Sequence, residues 1–207
     1  MFFVLYPALL YFLHAMKKAD KSARNFEIEF RSVFDKAEYN RLKKFLGKNA
    51  ENLGKDDKDV HFFIFPDKLL KVTSNTSQDT AKITLKLNRI GKGSAFEEIE
   101  FPVQQSEVGR AVEIFTKLKV TDNIMHSFQK RNNYLYKGVE IALKFSEHWQ
   151  YHLELELVVD DENKKSEAEN KIREVAKELG VRLLTEKELA EIVKKIESEH
   201  RKKLTSK

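Results

Sequence analysis

Three separate segments of this 207-residue chain each carry two glutamates separated by a single residue. The pairs are Glu27 with Glu29, Glu98 with Glu100, and Glu154 with Glu156. On a β-strand, residues two apart point to the same face at a separation of about 7 Å, so each pair sets two like charges side by side. Carboxylate oxygens are ligands that Mg²⁺ and Mn²⁺ prefer, and crowded carboxylates need a cation when they are enclosed. Three such pairs in one enclosed space would therefore form a site for a divalent metal.

Basic residues occur at the same spacing on the segments that could be strands. These cations are Arg31, Lys71, Lys82, Lys86 and Arg131. One arrangement that fits this pattern is a half-buried sheet with a solvated outer face, where each Lys–Glu pair contributes only about a few tenths of a kcal/mol. In the other, the strands close into a barrel, helices cover its apolar faces, and the charged faces line a lumen. The second arrangement would bind a divalent metal together with a polyanion.

The chain pattern is mainly one of strands, with helices between and after them. Apolar runs and period-two alternation predict strands at 26–31, 60–65, 69–73, 82–88, 98–101, 127–134, 139–145 and 152–157. Asp35 with Glu38 predicts the start of one helix, and Ser106 is predicted to cap another. Two C-terminal helices are predicted, one over 162–179 that ends at Gly180 and one from Thr185 to about residue 203. We therefore predict a single α+β domain dominated by antiparallel strands.

Composition limits the chemistry that is available. Lys and Arg number 38 and Asp and Glu number 33, and the resulting net charge of +5 favours an anionic partner without identifying it. The absence of cysteine excludes disulfides, thiolate zinc sites, iron–sulfur clusters and cysteine nucleophiles, so any metal must use oxygen or imidazole ligands. The composition is compatible with a reducing compartment, and we predict a cytoplasmic protein.

Residues 1–24 are predicted to form an apolar, then basic, extension before the domain at 25–203, and 204–207 a short tail. The apolar stretch from Phe2 to Met16 is short for a membrane span, because fifteen helical residues cover about 22 Å of about 30 Å of hydrocarbon. It also lacks the preceding basic residues of a secretory signal. Two interpretations stay open: translation begins at Met16, or the stretch is a weak anchor with its basic flank in the cytoplasm. Membrane contact is expected only in the second case.

Other motifs carry less information. Gly91 to Ser94 resembles a phosphate loop but does not fit the Walker pattern, so we predict a hairpin turn there. His148 and His152 have the i, i+4 spacing of a zinc site on a helix. Their segment is predicted as turn and strand, so a zinc site is not expected there. The remaining histidines are His14, His61, His126 and His200, which are expected to make no cluster. Aromatic residues at 62, 63 and 65 lie in a run that is typical of a core, so nucleic-acid binding is not expected.

The segment from Glu27 to Arg31 resembles the E-x-E-x-K opening strand of the CYTH superfamily, the triphosphate tunnel metalloenzymes. The resemblance continues in order along residues 26–195. It includes the segments 69–73, 84–86 and 98–100, Arg131 with Tyr134, 154–156, and the Leu179-Gly180-Val181 run between the final helices. It implies a closed eight-stranded antiparallel β-barrel, a tunnel open at its ends, with helices packed outside and two C-terminal helices.

The resemblance also implies roles for individual residues. Glu27, Glu29, Glu154 and Glu156 would bind Mg²⁺ or Mn²⁺ or orient metal-bound water, with Glu98 and Glu100 in support. Arg31, Lys71, Lys86 and Arg131 would bind the phosphates of a small-molecule triphosphate. Glu27, Glu29 and Arg31 would be the catalytic residues.

This sequence departs from the family pattern mainly among its basic residues. Arg31 replaces a lysine, Thr73 and Gln129 stand where basic residues are expected, and Phe96 where an arginine often precedes E-x-E. Lys144 occupies the place of an aspartate, and Trp149-Gln150 that of a Leu-Gly turn. The basic half of the predicted site is thus depleted, whereas all three glutamate pairs are present. The missing aspartate and turn weaken the similarity to the cyclases in particular.

The leading hypothesis is a metal-dependent phosphohydrolase that acts on an inorganic or organic triphosphate inside the tunnel. One alternative is a class IV-type adenylate cyclase, which converts ATP to cyclic AMP and pyrophosphate in the same tunnel. Another is a protein that binds phosphorylated ligands without turnover. The sequence makes no prediction of oligomeric state.

Overall fold

A computed structural model describes residues 26–87 and 95–205. The predicted N-terminal extension, the turn at 91–94 and the last two residues of the tail lie outside this range. Within the described residues, none of the helices combines the length and the apolar character needed to span a bilayer.

Nine strands and four helices make up the described fold. The strands are β1 (Phe26–Val33), β2 (Glu51–Lys55), β3 (Lys58–Ile64), β4 (Leu69–Asn75), β5 (Thr80–Lys86), β6 (Ala95–Val103), β7 (Ile124–Tyr136), β8 (Val139–Ser146) and β9 (Gln150–Val159). The helices are α1 (Lys36–Asn49), α2 (Val108–Lys117), α3 (Lys165–Leu179) and α4 (Glu186–Thr205). Each predicted strand is present, and β2 is additional. Strand β2 was not predicted, because its one large apolar residue, Leu53, is exposed and the segment has no apolar–polar alternation.

Strand pairing closes the sheet into a barrel. The antiparallel order is β7-β3-β4-β5-β6-β1-β9-β8, and β8 pairs back onto β7. Strand β2 continues along the edge of β7 that β3 occupies, because β7 pairs with β3 over residues 124–129 and with β2 over residues 132–135. The circumference is therefore eight strands, which confirms the predicted antiparallel barrel.

The apolar faces of the strands point outward to the helices. Ile28 of β1, Ile141 of β8 and Leu155 of β9 are fully buried in one cluster with residues of α1 and α3. Leu42 and Leu46 supply the α1 side of that cluster. Because side chains alternate along a strand, this packing turns the charged faces of the same strands inward.

Helix ends follow the predicted signals with one exception. The Asp35 side chain accepts a hydrogen bond from the Glu38 N–H at 2.8 Å, and Gly180 ends α3 in the left-handed region with φ of 70°. Thr185 and Glu188 cap α4 reciprocally, with N–H to side-chain distances of 3.2 Å and 2.9 Å. The prediction that Ser106 caps a helix is wrong. The chain already turns in a 3₁₀ helix over Gln105–Glu107, and α2 begins after it without a side-chain cap.

Candidate active site in the barrel lumen

The inward faces of the strands enclose a cavity of about 400 Å³. All ten predicted site residues line it: Glu27, Glu29, Arg31, Lys71, Lys86, Glu98, Glu100, Arg131, Glu154 and Glu156. The barrel thus brings together side chains from six strands, β1, β4, β5, β6, β7 and β9. The solvated outer face that the sequence left open as an alternative is not the arrangement in the structure.

Strand register places three carboxylates in a row across three neighbouring strands. Glu29 on β1 lies opposite Glu156 on β9, and Glu156 lies opposite Glu140 on β8. Directly opposed residues in an antiparallel pair have Cβ atoms about 4.5–5.5 Å apart. The register therefore concentrates negative charge on this part of the wall.

The carboxylate of Glu154 lies among three cations. Its Oε1 is 3.0 Å from Nη2 of Arg31, and its Oε2 is 2.8 Å from Nζ of Lys144 and 3.8 Å from Nη1 of Arg131. Burial opposes ionisation of Glu154, but Lys144 and the two arginines outweigh it and hold its pKa well below the usual range. Glu154 is therefore ionised and already paired within the chain.

Glu156 and Glu27 have the opposite environment. Burial and the neighbouring charge of Glu29 raise the pKa of Glu156 to about 7. Burial raises the pKa of Glu27 to about 9, even though Lys86 favours its charged form. Among the described residues, Glu156 makes no ion pair within 4.0 Å. These two carboxyl groups are the part of the lumen where a bound cation would relieve most repulsion.

Lys86 is surrounded by carboxylates. Its Nζ lies 3.5 Å from Glu27 Oε1 and 3.6 Å from Glu29 Oε2, and it contacts the carboxylate of Glu98. Burial would lower the pKa of Lys86, but the charges of these glutamates raise it well above the usual value. Although Lys86 lines the cavity as predicted, its charge is compensated by the protein itself.

Lys71 and Lys144 are cations whose charge is costly in the lumen. Burial and the neighbouring charge of Lys86 lower the pKa of Lys71 to about 8, and the described residues include no carboxylate within 4.0 Å of its Nζ. Burial also lowers the pKa of Lys144 to about 8, even though Glu154 favours its charged form. An anion bound beside these amines would stabilise their protonated forms.

Several lining residues were not assigned to the site by sequence reasoning. They are Asp56, Lys58, Thr73, Gln129, Glu140, Lys144, Trp149 and His152, while Lys82 was predicted on the charged face without a role. Lys58, Lys82 and Lys144 bring the lining to seven Lys or Arg against eight Asp or Glu, so the lumen as a whole is not short of cations. Period two gave the signal for Lys144, which shares its face with Glu140 on a strand whose other face is apolar.

The turn between β8 and β9 contributes Trp149 to the wall, and the start of β9 contributes His152. The Arg31 guanidinium lies 5.0 Å from the ring centroid of Trp149. His152 Nδ1 lies 3.0 Å from the Gln150 carbonyl oxygen. Burial, with the charge of Lys144, lowers the pKa of His152 to about 3, so the imidazole is neutral at physiological pH. The carbonyl accepts a hydrogen bond from Nδ1–H in this neutral form, which leaves Nε2 without a proton.

One end of the cavity adjoins helix α4. A smaller cavity of about 70 Å³ there shares Phe62 and Trp149 with the lumen and is also lined by Val193 and Ile196 of α4. The helix is held to the barrel by His200, whose Nε2 lies 2.7 Å from the Ile124 carbonyl oxygen. Apolar side chains therefore contribute to the boundary of the lumen on this side, whereas most of the other lining residues are charged.

Solved structures of other proteins have the same architecture. The PH1012 protein from Pyrococcus horikoshii is 26% identical, with a TM-score of 0.62 over 75% of this chain and 91% of that one. A candidate adenylate cyclase from Vibrio parahaemolyticus is 13% identical, with a TM-score of 0.60 over 82% of this chain and 98% of that one. HpAC1 from Hippeastrum, a candidate adenylyl cyclase with a dominant triphosphatase activity, is 14% identical, with a TM-score of 0.54 over 77% and 89% of the two chains.

The latter two similarities, at 13% and 14% identity, support the fold alone. A search of curated proteins gives no match. The family comparison matches the CYTH domain over residues 25–203, which include every strand of the barrel and every charged residue of its lumen. This chain therefore belongs to the CYTH domain family.

Proposed function

We propose that this protein is a phosphohydrolase that uses Mg²⁺ or Mn²⁺ to cleave an inorganic or organic triphosphate inside the barrel. One observation carries the proposal: a single lumen holds the unpaired carboxyl group of Glu156, a second carboxyl group, Glu27, whose charged form burial disfavours, and amines whose charge burial also disfavours. Such a lumen suits a complex of a metal ion with a polyanion, because each component of the complex relieves one of these imbalances.

The residues fit a divalent ion with hard oxygen ligands. Glu27, Glu29 and Glu156 would bind it, and Glu98 and Glu140 lie on the same wall. Mg²⁺ is usually bound by one or two carboxylates together with waters and substrate phosphates, so not all of these residues need to be ligands at once. Glu154 is the least suited of the predicted ligands, because Arg31, Lys144 and Arg131 already occupy its oxygens. When bound, the ion would supply Lewis-acid polarisation of a phosphoryl oxygen.

The basic residues would bind and orient the triphosphate. Lys71 and Lys144 offer ammonium groups directly to phosphate oxygens, and Lys58 lies on the same inward face as both. The pKa of Lys58 is lowered by burial and by the charge of Arg131, so it too would gain from an anion. Fixed cations stabilise charge that develops on the transferred phosphoryl group without reorganisation during the reaction.

Arg31 and Arg131 have a positioning role in this arrangement. Arg31 contacts Glu29 and lies 3.0 Å from Glu154, so it links the carboxylate-rich wall to the cationic one. Arg131 lies 3.1 Å from Asp56 and 3.6 Å from Glu140. Both guanidinium groups can still donate hydrogen bonds to phosphate, because a guanidinium carries five N–H donors.

The dominant triphosphatase activity of HpAC1, which has a similar fold, supports the proposal. The test is phosphate release from tripolyphosphate, thiamine triphosphate and ATP in the presence of Mg²⁺ or Mn²⁺, with cyclic AMP measured in parallel. Phosphate release that requires a metal and does not require a nucleotide is the expected result. Cyclic AMP with pyrophosphate would instead identify a cyclase, and metal-dependent binding without product would identify a binding protein.

Variants connect the activity to the lumen. We expect E27Q and E156Q to lower the turnover of tripolyphosphate by at least about a hundredfold while circular dichroism shows an intact fold. The matched control is E113Q, which makes the same substitution at an exposed position of α2. Wild-type turnover in both E27Q and E156Q would exclude this site assignment.

A further inference from the structure

A second group of potential metal ligands lies on the outside of the barrel. Asp59 and His61 belong to β3, and His126 belongs to β7. Lys58, Val60 and Phe62 of β3 line the lumen, so Asp59 and His61 between them point to the opposite face. None of the three belongs to the proposed active site.

Strand pairing brings these three side chains together. His61 and His126 are directly opposed in the β3–β7 register, and their ring centroids are 4.4 Å apart. His126 Nε2 contacts the carboxylate of Asp59. One ligand atom from each of the three side chains lies within 4.8 Å of the other two. The expectation that His61 and His126 make no cluster is therefore wrong.

The environment of His61 is an independent observation that points to a ligand. Its Nδ1 is shielded from solvent and has no hydrogen-bond partner among the described residues. A buried imidazole nitrogen without a partner is costly, and coordination to a metal is one way to satisfy it.

We propose that Asp59, His61 and His126 form a site for a divalent transition-metal ion that prefers imidazole ligands, such as Zn²⁺, Co²⁺ or Ni²⁺. Imidazole suits these ions, whereas Mg²⁺ and Mn²⁺ favour the all-oxygen ligands of the lumen. Two histidines and a carboxylate match the three protein ligands of an open zinc site, with a fourth position for water or another ligand. Solvent can reach that position, because the side chains of His126 and Asp59 are 55% and 38% exposed.

The two strands make the site largely preformed. All three ligands project from neighbouring strands of a closed sheet, so the backbone loses little conformational freedom when the metal binds. Two ligands are adjacent along β3, at positions i and i+2, and the third faces them from β7. A bound ion would replace the direct contact between His126 Nε2 and the Asp59 carboxylate.

The experiment is a Co²⁺ titration of the full chain, followed by visible absorption, in excess Mg²⁺ that fills the luminal site. We expect one Co²⁺ per chain under these conditions, with d–d bands that Zn²⁺ abolishes by competition and Mg²⁺ does not. H126A should weaken Co²⁺ binding by at least about tenfold, and D59N should weaken it less. Since His126 is largely exposed, H126A is expected to fold normally.

Two control variants separate this site from other ligands. H148A removes a partly exposed imidazole that is not one of the three ligands, although its Nε2 lies 3.3 Å from the His126 carbonyl oxygen. E156Q alters the lumen, and both variants should bind Co²⁺ as the wild type does. Wild-type Co²⁺ affinity in both H126A and H61N would overturn the inference. Loss of the Co²⁺ spectrum in E156Q, or its displacement by Mg²⁺, would also overturn it by assigning the ion to the lumen. The outcome does not depend on the proposed phosphohydrolase activity, because binding and not turnover is measured.

Discussion

Glu154 and Glu156 are the same amino acid, two residues apart on β9, and both face the lumen, yet their carboxyl groups have opposite environments. Three cations lower the pKa of Glu154, whereas burial and Glu29 raise that of Glu156 to about 7. Seven basic and eight acidic residues line the cavity, so the charges nearly balance overall. The difference shows that charges are balanced locally around Glu154 and are not balanced around Glu156. A paired charge contributes to the fold, and an unpaired one is available for a ligand.

Removal of the paired carboxylate should have the largest effect on stability. E154Q leaves the charges of Arg31, Lys144 and Arg131 without their shared partner, and the loss of one member of a buried ion-pair network typically costs about 3–5 kcal/mol. Because the cavity is large enough to admit water, we expect about 3 kcal/mol for E154Q, measured by urea unfolding in EDTA. If E154Q is as stable as the wild type within experimental error, Glu154 does not stabilise the fold through its pairing with these cations.

Removal of the unpaired carboxylate should stabilise the fold, and the size of this effect depends on pH. The folded protein keeps the Glu156 proton up to a pKa of about 7, but the unfolded chain loses it near the ordinary glutamate pKa of 4.5. The folded state therefore binds more protons between these values, so the free energy of unfolding falls as pH rises through this window and then levels off. E156Q lacks this decrease. We expect E156Q and wild type to be equally stable near pH 4.5, and E156Q to be more stable at pH 7.5 by on the order of 2 kcal/mol.

This comparison is made by thermal unfolding in EDTA across the pH range. Addition of Mg²⁺ at pH 7.5 should then stabilise the wild type more than E156Q, because the ion neutralises the carboxylate that E156Q lacks. A constant difference between the two proteins at all pH values would show that Glu156 does not titrate in this window.

Two lysines of the lumen, Lys71 and Lys144, extend the comparison to the cationic side. The pKa of each is lowered to about 8, but Lys144 lies 2.8 Å from Glu154 and Lys71 has no such ion pair among the described residues. K144M should therefore cost about 1–2 kcal/mol of stability, less than E154Q because two arginines still face Glu154. K71M should leave stability unchanged or slightly increased, and instead weaken tripolyphosphate binding. Calorimetric titration with tripolyphosphate and urea unfolding of both variants distinguish the two roles, and equal destabilisation would contradict the difference.

Much of the barrel was predictable from local pattern. Period-two alternation identified the strands and placed each Glu-x-Glu pair on one face, because that signal depends only on neighbours in the sequence. Pairing partners were not predictable in the same way. Lys144 stood out in the sequence only as a departure from the family pattern, and its contact with Glu154 follows from the β8–β9 register.

Sequence distance explains why the Asp59, His61 and His126 group was not predicted. Asp59 and His126 are 67 residues apart, and no local pattern connects them. The β3–β7 pairing places His126 opposite His61, two residues from Asp59, so long-range register alone creates this group. Resemblance to the family did not help here, because the motifs that carried it concern the inner face of the barrel.

The smallest effect is expected where a luminal charge pair meets solvent. Lys82 contacts Glu100, and their side chains are 42% and 44% exposed. Water and salt screen this pair, so K82A should change the free energy of unfolding by no more than about 0.5 kcal/mol. The Lys82–Glu100 pair is thus expected to stabilise the fold several times less than the Lys144–Glu154 pair. Water solvates the exposed charges, whereas the buried charges are stabilised mainly by each other. Urea unfolding at low and high salt tests this, and a loss in K82A as large as that in K144M would show that exposure does not set the energetic difference between the two pairs.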